Sequence, residues 1–114
     1  NGCAGRAESP MELTPAGLYT EAQADRGEEV FTMICSTCHG RTEFSGRMFQ
    51  MTWMARRIGD LFQHISTAMP QDAPGSLSPD EYASVIAYML RLNARPAGDR
   101  ELPAGASALA DLPW

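Results

Sequence analysis

Apolar positions recur with helical spacing in three stretches of the chain, and no segment alternates with period two. In the first, Gly27, Val30, Phe31 and Ile34 follow one another at i, i+3, i+4 and i+7, behind a Thr20/Gln23 pair that reads as a capping box. This predicts an amphipathic helix over about 21–37. Gly27 inside it costs about 1 kcal/mol relative to Ala, so another backbone is expected to pass close by. In the second stretch, Ile58, Leu61, Phe62 and Ile65 give a helix over about 54–66. A third begins at Ser78, with Pro79 at the first helical position and Glu81 completing a capping box. Its buried stripe is Tyr82, Val85, Ile86 and Met89, and Asn93 with Pro96 ends it. Residues 40–52 hold two glycines without a clean period and read as a loop. Pro70 disfavours helical geometry at Met69, and MPQDAPGS, 69–76, reads as a second loop. The expected fold is all-α, with three main helices and no internal repeat.

With 114 residues the chain fits one small domain. Pro, Gly, Ala and Ser dominate residues 1–18, which read as a flexible tether, and 94–114, a C-terminal extension, so the expected folded unit is 19–93. A core of that size usually needs a staple. No run approaches the ~18–20 apolar residues of a membrane span, and any export signal is expected to have been removed. The formal net charge of −5 makes nucleic acid and anionic membrane surfaces poor partners. All nine basic residues are Arg, and Arg41, Arg47, Arg56 and Arg57 lie within 40–57 against one acid, Glu43.

Cys35, Cys38 and His39 form C-S-T-C-H, the haem-attachment signature, which this composition would produce by chance about once in a thousand chains. On a helical turn, positions i, i+3 and i+4 share a face, so two thiols can meet two vinyl groups at one porphyrin edge. His39 then offers a nitrogen to iron. A zinc site would need a fourth ligand, for which only Cys3 or His64 remains. A thioredoxin-like dithiol needs the pair at a helix N-terminus, whereas here it closes a helix. A Cys35–Cys38 disulfide is a third, weaker reading.

Lys is absent, so the second axial ligand comes from Met, His or a small molecule. Met69 stands out of the seven methionines because Pro70 takes it out of helical geometry ahead of a loop. Met48, Met51, Met54 and His64 remain as alternatives. The first three could also form a soft stripe lining an apolar pocket. Trp53, Arg47, Arg56 and Arg57 are candidate donors to the haem propionates, since indole and guanidinium bind carboxylates well.

GEEVFTMICSTCHG, 27–40, resembles the class I cytochrome c signature, in which a Gly and an aromatic precede the haem cysteines as Gly27 and Phe31 do. DLFQHISTAMPQDAPGSLSPDEYASVIAYMLRLN, 60–93, is similar to the cytochromes associated with or fused to quinoprotein (PQQ) alcohol dehydrogenases. The resemblance spans about 19–109. It implies a small class I cytochrome c fold around one covalent haem c, with Met69 as axial ligand. It also implies that Tyr88 joins the crossing of the first and last helices at Gly27 and Phe31. In one respect the chain departs from the pattern. Many class I cytochromes have a Pro after the haem His whose carbonyl accepts the second N–H of that His, and CHGRTEFSGRMF has none. An orienting acceptor is still expected, without a residue to assign to it.

Iron held by His39 and Met69 is six-coordinate and lacks a position for substrate, which points to electron transfer rather than catalysis. The expected role is a mono-haem carrier between a periplasmic donor, a dehydrogenase or quinol-oxidising complex, and an acceptor such as a terminal oxidase. Redox proteins are its expected partners, with no small-molecule substrate. The alternative is a haem enzyme or gas sensor with a displaceable sixth ligand. Haem attachment of this kind places the chain outside the cytoplasmic membrane. Gly2-Cys3-Ala4 also resembles the end of a bacterial lipoprotein signal, so a lipidated Cys3 would make residues 4–18 a membrane tether of at most ~45 Å. A plain free thiol is the competing reading.

Overall fold

A computed structural model describes residues 17–114. Cys3 and most of the expected tether lie outside the described residues. Four α-helices follow in order: α1 Glu21–Met33, α2 Arg47–Trp53, α3 Ile58–Ala68 and α4 Pro79–Leu92. Among the described residues there is no strand, only an isolated bridge between Arg57 and Pro113. The fold is all-α, as the apolar spacing predicts, and agrees with the small class I cytochrome c fold that the resemblance implies.

The main departures lie between the helices. The first helix stops at Met33, and Cys35–Thr37 is wound more tightly as a 3₁₀ turn. Residues 40–52, expected as a loop, contain a 3₁₀ turn at Arg41–Phe44 and all but the end of α2. These pieces are too short to show a period of their own. Phe49 alone is buried in α2, and it is fixed by edge-on contacts with Phe44, 5.7 Å, and Trp114, 5.6 Å. The next helix starts four residues later than expected, at Ile58, where the C-terminal segment supplies its cap. Ile58 N–H donates to the Leu112 carbonyl at 2.8 Å and Gly59 N–H to the Leu109 carbonyl at 3.1 Å. Two orphan donors of the first turn are thus satisfied from the far end of the chain.

The α1/α4 crossing organises the core. A Cβ on Gly27 would sit 1.8 Å from the Ser84 carbonyl oxygen, so only a bare glycine lets α4 approach this closely. One turn on, the Phe31 ring meets the Tyr88 ring at 5.5 Å. On the outer side Arg91, partly buried, binds Glu21 at 3.0 Å, Asp25 at 2.8 Å and Glu28 at 3.4 Å, clamping the two helices with ion pairs at the surface that are worth little each. The α4 cap is as expected: Ser78 Oγ accepts from Glu81 N–H at 3.1 Å and Glu81 Oε1 from Ser78 N–H at 2.8 Å. Asn93 ends α4 and donates from Nδ2 to the Phe44 carbonyl at 2.7 Å, tying the helix end to the 41–44 turn.

The Thr20/Gln23 pair forms only half a capping box. Thr20 Oγ1 accepts from Gln23 N–H at 3.1 Å. The Gln23 amide, 2 % exposed, instead pairs with the Leu102 backbone, donating from Nε2 to its carbonyl at 2.9 Å and accepting its N–H at Oε1 at 2.7 Å. Leu102 and Leu109 are both buried. Gln23→Ala strands two buried backbone groups, each costing about 1–3 kcal/mol. The expected result is a protein destabilised by about 2 kcal/mol or more, with faster protease cleavage within 95–114, read by denaturant titration and limited proteolysis.

Candidate functional site

The motif sits where α1 ends. Ile34 N–H closes the helix on the Val30 carbonyl at 2.9 Å, and Cys38 N–H and His39 N–H then both donate to the Cys35 carbonyl, at 3.2 and 3.0 Å. This doubly held turn brings Cys35, Cys38 and His39 into one short arc. Both thiols are unpaired, so the disulfide reading finds no support, and Cys35 is half-buried while Cys38 is exposed. Burial pushes the Cys35 thiol pKa up. Among the described residues no three His, Cys, Asp or Glu side chains cluster to hold a bare metal ion.

His39 is held from two sides. Its ring meets Phe44 edge-on at 5.3 Å, and Phe44 in turn packs on Phe31 at 5.5 Å, which connects the imidazole to the α1/α4 crossing. Its Nδ1 lies 2.9 Å from Glu43 Oε1. An ionised carboxylate can only accept, so Nδ1 carries a proton, and in the neutral ring this tautomer leaves the Nε2 lone pair for a metal. The other carboxylate oxygen, Oε2, accepts the Gly40 N–H at 2.8 Å. The Gly40 N–H and the His39 bond, in that order, hold the Glu43 carboxyl below the usual carboxylate range. Glu43 is therefore a candidate site residue that sequence reasoning did not name. Its signal was a carboxylate four positions after the motif His, which becomes a neighbour only if the intervening residues coil.

Met69 has the extended conformation that Pro70 predicts, φ −126° and ψ 151°. Its N–H still closes α3 on the Ile65 carbonyl at 2.9 Å, while its own carbonyl accepts from Tyr82 Oη–H at 2.6 Å. The backbone at Met69 is thus fixed from both α3 and α4, and its half-buried side chain packs against the core. Among the alternatives, Met48 and Met51 are exposed at 77 % and 66 %. Met54 caps the end of α2. His64 is exposed and lies on the Trp53 ring at 5.2 Å. Arg56 lies over the same ring at 5.4 Å, so the Trp53 indole is in contact with both an imidazole and a guanidinium. Arg47, Arg56 and Arg57 are exposed and make no ion pair among the described residues, whereas Arg41 reaches Glu28 at 3.7 Å. Two buried donors among the described residues lack a partner, Arg95 Nε and Trp114 Nε1. Trp114, packed on Phe49, is a further candidate donor to a carboxylate that no periodic signal announces.

Two unpaired thiols, an imidazole with Nε2 available, a thioether presented from extended backbone and an unpartnered indole N–H make a donor set that suits an iron porphyrin with carboxylate side arms. The family model described as Cytochrome C oxidase, cbb3-type, subunit III matches residues 22–89, more than half of the chain. The chain belongs to this family. It is thereby a class I c-type cytochrome, a haem electron-transfer protein with covalently bound haem c. No curated protein and no solved structure matched the chain. In this cytochrome the haem supplies the one-electron chemistry, and the protein supplies attachment, axial donors and a shielded setting. No helix among the described residues is long and apolar enough to cross a membrane.

Proposed function

We propose that Cys35 and Cys38 hold the haem through thioethers, that His39 and Met69 are its axial ligands, and that the protein shuttles single electrons between redox proteins. The observation that carries this reading is the Cys35–His39 turn with His39 Nδ1 already engaged, leaving Nε2 as its one metal-binding nitrogen. Met69 fits the opposite role because its backbone is fixed independently of its side chain. A Met/His pair raises the potential and leaves no coordination position for substrate, which suits a carrier rather than an enzyme. Trp53, Arg47, Arg56 and Arg57 are the donors proposed for the propionates.

The proposed donor is a periplasmic dehydrogenase or quinol-oxidising complex, and the proposed acceptor a terminal oxidase. The likeness of 60–93 to the cytochromes of PQQ alcohol dehydrogenases supports the first of these. The oxidase named in the description of the matched family supports the second. The location proposed is outside the cytoplasmic membrane, where haem is attached in this way, with Cys3 as a lipid anchor.

Mass spectrometry of peptides from the native protein tests both attachments at once. The peptide containing Cys35 and Cys38 should carry the mass of one haem, retained through acid-acetone extraction, and Cys38→Ala should weaken or abolish the holoprotein. Extractable haem would defeat the thioether reading. A native N-terminal peptide beginning at lipid-modified Cys3 is expected, and an unmodified Asn1 would remove the anchor.

A further inference from the structure

We propose that Glu43 is the positioning residue of the axial histidine: its carboxylate accepts the Nδ1 proton of His39, fixes the plane of the ring and holds the haem potential lower than a neutral acceptor would. The inference rests on the reading of His39 as an iron ligand.

Three observations carry it. Among the described residues, Glu43 is the one hydrogen-bond partner of His39 Nδ1, at 2.9 Å, and no backbone carbonyl takes that place. The carboxylate is oriented before it meets the ring, because Oε2 is bound by the Gly40 N–H at 2.8 Å, adjacent in the chain to His39 itself. The segment between them is fixed too: Glu43 N–H donates to the Gly40 carbonyl at 3.1 Å, and Phe44 is held through its carbonyl by Asn93. The imidazole is held by the Phe44 ring, 5.3 Å away, and by the bond to Glu43.

The consequence follows from charge. A carboxylate draws the Nδ1 proton towards itself, which makes Nε2 a stronger donor to the metal, and ligand basicity of this kind is set by the partner of the ring's second nitrogen. A stronger, more anionic donor stabilises ferric over ferrous iron, which lowers the potential. Glu43 is half exposed, so a purely through-space effect of its charge would be screened by salt, whereas an effect transmitted through the hydrogen bond would persist.

The test is the midpoint potential of holoprotein Glu43→Gln, measured at low salt and at about 1 M salt, where the Debye length falls to about 3 Å. The expected result is an upward shift retained at both. Glu43→Asp, which keeps the charge but shortens the arm, should shift the same way at high salt. Glu28→Gln, which removes a half-buried carboxylate that pairs with Arg41 and does not touch His39, should lose any shift in high salt. An unchanged potential for Glu43→Gln at high salt, or an equal retained shift for Glu28→Gln, would overturn the proposal. A measurement on the unaltered protein guards against a variant that fails to fold. In the ferrous state the His39 Nδ1–H proton should resonate well downfield and exchange slowly, and a fast-exchanging, unshifted proton would count against the bond to Glu43. Failure of the ligand reading is distinct: ¹⁵N-labelled His39 would then show no hyperfine shift in the ferric protein.

Discussion

Met69→Ala is expected to leave the haem covalently attached while the sulfur-to-iron charge-transfer band of the ferric protein disappears, the potential falls and the ferrous form binds carbon monoxide. Each part has a separate cause. Attachment depends on Cys35 and Cys38, which the substitution does not touch. The hydrogen bonds at position 69 use its N–H and carbonyl, to Ile65 and Tyr82, and alanine keeps both, so the loop should stay where it is. What is lost is the thioether alone, which stabilises ferrous iron and fills the sixth position. Met69→His should restore six-coordination but not the band, and should also lower the potential. Ultraviolet–visible spectra with and without carbon monoxide, and a redox titration, read all of this. Survival of the band in Met69→Ala would move the ligand to Met48, Met51 or Met54. Rapid carbon monoxide binding by the unaltered protein would favour an enzyme or sensor with a displaceable ligand.

Gly27→Ala should be severely destabilising, against what helix propensity alone dictates. In an isolated helix the exchange gains about 1 kcal/mol. At this crossing the new methyl would lie 1.8 Å from the Ser84 carbonyl oxygen and 2.4 Å from its carbonyl carbon, both backbone atoms of α4 that no rotamer change can move aside. The helices must separate, which also loosens the Phe31–Tyr88 contact and the Arg91 clamp. Overpacking of well-packed interiors costs typically about 1–3 kcal/mol and more when the obstacle is rigid. For a domain of this size, a loss of about 3 kcal/mol lowers the Tm by roughly 12 °C or more. Thermal unfolding of the ferric holoprotein measures it. A Tm equal to or above that of the unaltered protein would show that α1 and α4 do not cross here as closely as described.

The helices that pack one long apolar face on the core were legible from spacing alone, because a 3.6-residue period survives wherever several turns are buried on one side. The Ser78–Glu81 cap was legible as a local feature with a local cause, whereas the close approach at Gly27 was expected from the cost of a glycine inside a helix and its place at the crossing with Phe31 and Tyr88 only from the resemblance. The C-S-T-C-H chemistry and the extended geometry at Met69 were also local, since the first is a spacing and the second a steric effect of Pro70 on its neighbour. The short α2 was not legible, because seven residues held by Phe49 against Phe44 and Trp114 carry no period. Nor was the place of the C-terminal segment, whose carbonyls cap α3 and whose Leu102 backbone takes the Gln23 amide from its expected local role. Glu43 lies between these cases: the chain by itself determined that His39 lacks the usual proline carbonyl. Only the tertiary structure, by coiling 41–44 and pinning that turn to Asn93, decided that a carboxylate stands in its place.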